Sequence, residues 1–99
     1  MYQIDDNAIK DETILKCRDF KDAVRFCIEV CAKERKEVAY ELEMDEAHLS
    51  RVISNNPEDR RHFPTDKFFK LMDVCGNEIP LRWLALKRGY GLRKLKSAL

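Results

Sequence analysis

The sequence predicts an all-α fold, a compact bundle of five helices. Three observations carry this. Apolar residues recur at i, i+3, i+4 and i+7 through most of the chain, which is the period of a helix with one buried face. Glycine and proline number only three each in 99 residues, and neither occurs between Met1 and Asn56, too few turn residues for an all-β fold. Two short helical segments near the middle of the chain are separated by only about two residues, a connection typical of packed helices.

Residues 1–16 fit no period well. Asp5, Asp6, Asp11 and Glu12 make them acidic, and they read as an arm or a short helix from about Asp11. The next segment, Asp19 to Lys33, places Phe20, Ala23, Val24, Cys27, Ile28 and Cys31 on one stripe, with Phe26 and Val30 beside it. Such a wide apolar face predicts a central core helix.

Two short segments follow. Lys36 to Glu43 puts Val38, Ala39 and Leu42 on one face. Asp45 to Ser54 puts Leu49, Val52 and Ile53 inward and Glu46, Ala47, Ser50, Arg51 and Ser54 outward. Asp45 suits the N-cap, where a side-chain oxygen takes up a free backbone N–H. Two short helices joined by about two residues are the signature of a helix-turn-helix. Ala39 is small enough for a close crossing, and Leu42 and Met44 flank the turn.

Asn55 to Pro64 reads as a loop, because Pro57 disfavours helical backbone at Asn56. Thr65 is the expected cap of a fourth helix carrying Phe68, Leu71, Met72 and Cys75, with Gly76 as its stop. A fifth helix is expected to begin near Pro80, since proline is tolerated in a first turn. It carries Leu81, Trp83, Leu84 and Leu86 and ends at Gly89. The chain thus divides into an N-terminal arm or helix (1–16), a helix-turn-helix domain (17–90) and a basic tail (91–99).

Composition narrows the function classes. The 44% apolar and 37% charged fractions are those of an ordinary globular domain. No apolar run reaches membrane-spanning length, and the charged N-terminus is not that of a signal peptide. Cys17, Cys27, Cys31 and Cys75 therefore read as reduced thiols of a cytoplasmic protein. Cys27 and Cys31, four apart on a helix, read chiefly as core residues rather than metal ligands. His62 reads as a solvated loop residue, His48 beside the outward face of the third helix as either a DNA contact or a solvated surface residue, and Trp83 as a core anchor. No nucleophile with its base, phosphate-cradling loop or carboxylate pair stands out, so the expectation is a non-enzyme without a cofactor.

The stretch from Glu37 to Leu42 through His48 to Ile53 resembles the helix-turn-helix of the phage repressor and Cro class. Phe63-Pro64-Thr65-Asp66-Lys67 and the string Cys75-Gly76-Asn77-Glu78-Ile79-Pro80-Leu81-Arg82-Trp83-Leu84-Ala85 resemble the CII-like regulators of temperate phages and prophages. The resemblance spans roughly residues 17–90. It implies a repressor-like fold, double-stranded DNA as partner, and a transcription regulator acting in a bacterial cytoplasm. It also implies which residues meet DNA. Glu46, Ala47, Ser50 and Arg51 take the base-contacting positions, Arg51 suiting a bidentate contact to guanine, Glu46 the cytosine amino group and Ala47 the thymine methyl. Arg35, Lys36, Ser54, Asn55, Arg60 and Arg61 are the expected phosphate contacts. One departure is clear. That family usually has glycine at the turn position of positive φ, where this chain has Glu43, at a cost of roughly 1 kcal/mol.

Charge complicates the picture. The net charge is +1, yet residues 82–99 carry +6, leaving −5 elsewhere. Glu41, Asp45 and Glu46 oppose phosphate near the expected interface. Attraction to DNA must then come from pairing of subunits, a homodimer, or from the basic tail. A helical protein-interaction module, an antirepressor or adaptor that keeps the fold without touching DNA, is the alternative.

Overall fold

A computed structural model describes residues 9–54, 56, 58 and 61–92. Among them are six α-helices and no strand: α1 (Asp11–Leu15), α2 (Phe20–Glu29), α3 (Arg35–Glu41), α4 (Glu46–Val52), α5 (Phe68–Cys75) and α6 (Ile79–Lys87), with a 3-10 turn at Thr65–Lys67 before α5. The expected five helices are thus joined by a sixth, because the acidic N-terminal segment forms α1. The guanidinium of Arg82 explains its placement. It donates to the Ile9 carbonyl at 2.7 Å and to Asp11 Oδ1 at 2.8 Å, while Ile14 is fully buried.

Helix α2 starts where its sequence says it should. The Asp19 side chain accepts from the Asp22 N–H at 2.8 Å, and Asp22 reaches back to accept from the Arg18 N–H at 3.0 Å. This reciprocal pair satisfies two otherwise free backbone donors and is worth about 1 kcal/mol. The helix stops at Glu29 rather than continuing to Lys33. Beyond Val30 the bonding tightens to Cys31 N–H on the Ile28 carbonyl, and Cys31 Sγ accepts the Lys33 N–H at 3.4 Å. Lys33 then pairs with Glu41 at 2.7 Å, so the turn into α3 is held by side chains that helical periodicity cannot register.

The core lies between α2, α3, α4, α5 and α6. Val24, Cys27, Leu49, Val52, Leu71 and Ile79 are all fully enclosed. Trp83 packs against this cluster, its ring 6.1 Å from that of Phe20, and its Nε1 donates to the Cys17 carbonyl at 3.1 Å. The radius of gyration, 13.4 Å, is that of a compact domain of this length.

Two helix starts differ in detail from expectation. Thr65 does not cap α5 with its side chain; it opens the 3-10 turn after Pro64. Helix α6 begins one residue earlier, at Ile79, with proline in its first turn. Asn77 sets that start. Buried at 4% exposure, it accepts the Ile79 N–H at 3.1 Å and donates to the Cys27 carbonyl at 3.1 Å, tying α6 to α2. The glycine stops hold: Gly76 and Gly89 both adopt positive φ.

Candidate nucleic-acid interface

The site is built on α3, the turn after it and α4. Helix α3 ends in a Schellman turn, in which two backbone N–H groups fold back onto the last free carbonyls. Glu43 N–H donates to the Tyr40 carbonyl at 3.0 Å and Met44 N–H to the Ala39 carbonyl at 2.9 Å. The pattern requires a left-handed residue, and Glu43 supplies it with φ of 57°. It is the one non-glycine residue with positive φ among the described residues. The Lys67 ammonium takes the next carbonyl, that of Leu42, at 2.8 Å.

Helix α4 then begins at the Asp45 cap, whose carboxylate accepts the Ala47 N–H at 3.3 Å. Its inner face is buried as the spacing predicts, with Leu49, Val52 and Ile53 joining Ala39 and Leu42 of the preceding helix and turn in the core. The far end of α4 is held by a residue that sequence reasoning missed. Arg25 of α2 donates Nε to the Ile53 carbonyl at 2.7 Å and pairs through Nη1 with Asp22. Its only signal in sequence is an acid three residues earlier on a helix that is otherwise apolar at that level.

Three of the four expected base-contacting residues, Glu46, Ala47 and Arg51, are exposed on α4; Ser50 is half-buried. Arg35 and Lys36 are exposed in the first turn of α3. Ser54 is half-buried, and its hydroxyl accepts the Asn56 N–H at 3.1 Å. Arg61 is exposed and already engaged within the chain. Asn55 and Arg60 lie outside the described residues.

Electrostatics around the pair favour acid. Glu34, Glu37, Glu41, Glu43, Asp45 and Glu46 are exposed between α3 and the first turn of α4, against Arg35, Lys36 and Arg51. A groove of about 620 Å³ separates the start of α2 from the segment after α4; Arg18, Asp19, Lys21 and Arg25 line it with Phe20 and Phe63, and Arg18 and Arg25 both pair with Asp22.

Cys17, Cys27 and Cys75 are buried, and Cys31 is half-buried. Hydrogen bonding with Cys27, and burial, raise the Cys75 thiol above its ordinary range; burial pushes Cys31 up to about 11. Among the described residues no cluster of histidine, cysteine, aspartate or glutamate is arranged to hold a metal ion, and no helix is long and apolar enough to cross a membrane.

No family model, curated protein or solved structure matches the chain.

Proposed function

We propose that the protein is a sequence-specific DNA-binding regulator that presents α4 to the major groove. The observation that carries this reading is the turn: a left-handed residue at Glu43 closes α3 and launches α4 with its inner face buried and Glu46, Ala47 and Arg51 facing solvent. A helix exposed along one face fits a groove about 12 Å wide. The resemblance of the Ile79–Ala85 string to CII-like regulators supports a phage or prophage origin and a bacterial cytoplasm. The resemblance supports a dimer whose two recognition helices, about 34 Å apart, read successive half-sites; because one copy offers three bases against six acids around α3 and α4, attraction to phosphate comes from pairing of subunits or from the basic tail.

Selection from random duplexes at low salt, repeated over a salt series, tests this. Enrichment of a near-palindromic site, with affinity falling as salt rises, is the expected result. Absence of both enrichment and low-salt binding overturns it.

The acidic surround favours one second reading, a module that keeps the helix pair to bind another protein. Such a module would enrich no duplex and would be indifferent to loss of Arg51.

A further inference from the structure

Three of the four thiols meet where the end of α2 packs against the end of α5. Cys27 and Cys75 are 0% and 2% exposed, and Cys31 packs on them at the edge of the core. The Cys75 thiol is in hydrogen-bonding contact with both Cys27 and Cys31. Cys31 is half-buried, so of the three it is the one a small solute can approach. It lies in the tight turn beyond α2, where the Lys33 N–H donates to its Sγ at 3.4 Å. Burial holds its thiol up at about 11, and the Lys33 N–H and ammonium act the other way, toward the thiolate. Cys17, beside the start of α2, has Asp22, Arg25, Asp19 and Glu29 as its electrostatic neighbours.

We propose that Cys31 and Cys75 form a redox pair, with Cys31 the residue that a peroxide oxidises and Cys75 the one that closes the disulfide. Contact between the two side chains is what closure requires. A disulfide needs Cβ atoms about 3.5–4.5 Å apart, and thiols that already touch need little backbone movement to reach it. Cys27 touches Cys75 as well, but both are sealed in the core, so that pair has no entry for the oxidant.

The chemistry has two steps. The Cys31 thiolate attacks one peroxide oxygen; an S–O bond forms, the O–O bond breaks and hydroxide leaves. Cys75 then gives up its proton and attacks the Cys31 sulfur; the S–S bond forms, the S–O bond breaks and a second hydroxide leaves. Each hydroxide takes up one thiol proton. The two thiols lose two electrons, and the peroxide is reduced to two waters. The bond joins positions 31 and 75, and the stretch between them contains α3 and α4 whole. Oxidation therefore closes the chain around the helix pair, whatever that pair binds.

Treating the full chain with hydrogen peroxide at about pH 9, where a raised thiol still supplies some thiolate, tests the pair. The remaining thiols are then blocked with iodoacetamide in denaturant and the cross-links mapped by mass spectrometry. The folded protein should yield a Cys31–Cys75 cross-link that dithiothreitol opens, with Cys17 alkylated. In concentrated urea that preference should vanish, and Cys27–Cys31, the thiols nearest in sequence, should dominate. Cys31→Ser should lower the disulfide yield at least tenfold, and Cys17→Ser should leave it unchanged. A folded wild type in which Cys31 ends as sulfinic acid without a cross-link, or in which another pair closes first, overturns the inference. The same cross-link pattern in urea as in buffer does so too. If a serine variant unfolds, the wild-type maps decide alone.

Discussion

The Met44 N–H reaches the Ala39 carbonyl at 2.9 Å, and the Tyr90 N–H reaches the Ala85 carbonyl at 2.8 Å in the same way. The two turns share one bonding pattern but not one residue: Gly89 fills the left-handed position in the second and Glu43 in the first. A side chain in that conformation costs about 1 kcal/mol, which glycine avoids.

Glu43→Gly should therefore stabilise the protein by about 1 kcal/mol, raising the melting temperature by roughly 4–8 °C. The reverse change, Gly89→Ala, should destabilise by a similar amount, although an added Cβ meets nothing within 4 Å, because the penalty lies in the backbone. Thermal melts of the two variants check both signs.

Arg25→Met should release the end of α4. It leaves the Ile53 carbonyl and the Asp22 carboxylate without their guanidinium, at a cost of about 1–3 kcal/mol. Hydrogen exchange should show the loss concentrated at the N–H groups of α4, with α5 and α6 less affected. Uniform loss across all helices would mean that Arg25 supports the whole core rather than α4.

Arg51→Ala should separate recognition from stability. The side chain is exposed, so the melting temperature should move by less than about 0.5 kcal/mol equivalent. Affinity for a selected duplex should fall by roughly 1–3 kcal/mol, with preference relaxed at one base position. Competition assays against single-base variants of the duplex give the readout.

Stability should fall as the solution turns alkaline. In the unfolded chain the thiols lose their protons near 9.0, whereas in the fold burial raises Cys31 to about 11 and Cys75 is raised further by its bond with Cys27. Above pH 9 the unfolded state binds fewer protons than the fold, so the slope is negative. Lys33, raised by Glu41, acts in the same sense only from about 10.5. Melting temperatures between pH 8 and pH 10 should decline in the wild type and decline less in Cys75→Ala.

The helix pair was legible because its signals are local. Asp45 caps the residue two ahead, Leu49 and Val52 repeat within one helix, and Gly76 and Gly89 stop chains that they themselves terminate. What escaped depends on which faces meet. Arg25 finds Ile53, Asn77 finds Cys27 and Arg82 finds Ile9 across 28, 50 and 73 positions. No periodicity reports such bonds. Arg82 is the sharpest case: counted by charge it belongs to a basic C-terminal stretch, yet its guanidinium is spent inside the fold on α1. The expected interface was legible only as an exposed face; that its surround is acidic follows from reading the charges, but the groove beside α4 needed the packing of α2.

That long tie has a consequence for how the chain is made. Helix α1 is made before α6, and the residue that anchors it follows Ile9 by 73 positions. At about 5–20 residues per second, α1 waits roughly 4–15 s for Arg82 to be synthesised. During that interval Ile14 has no α6 to pack against, so α1 is among the last helices described here to settle.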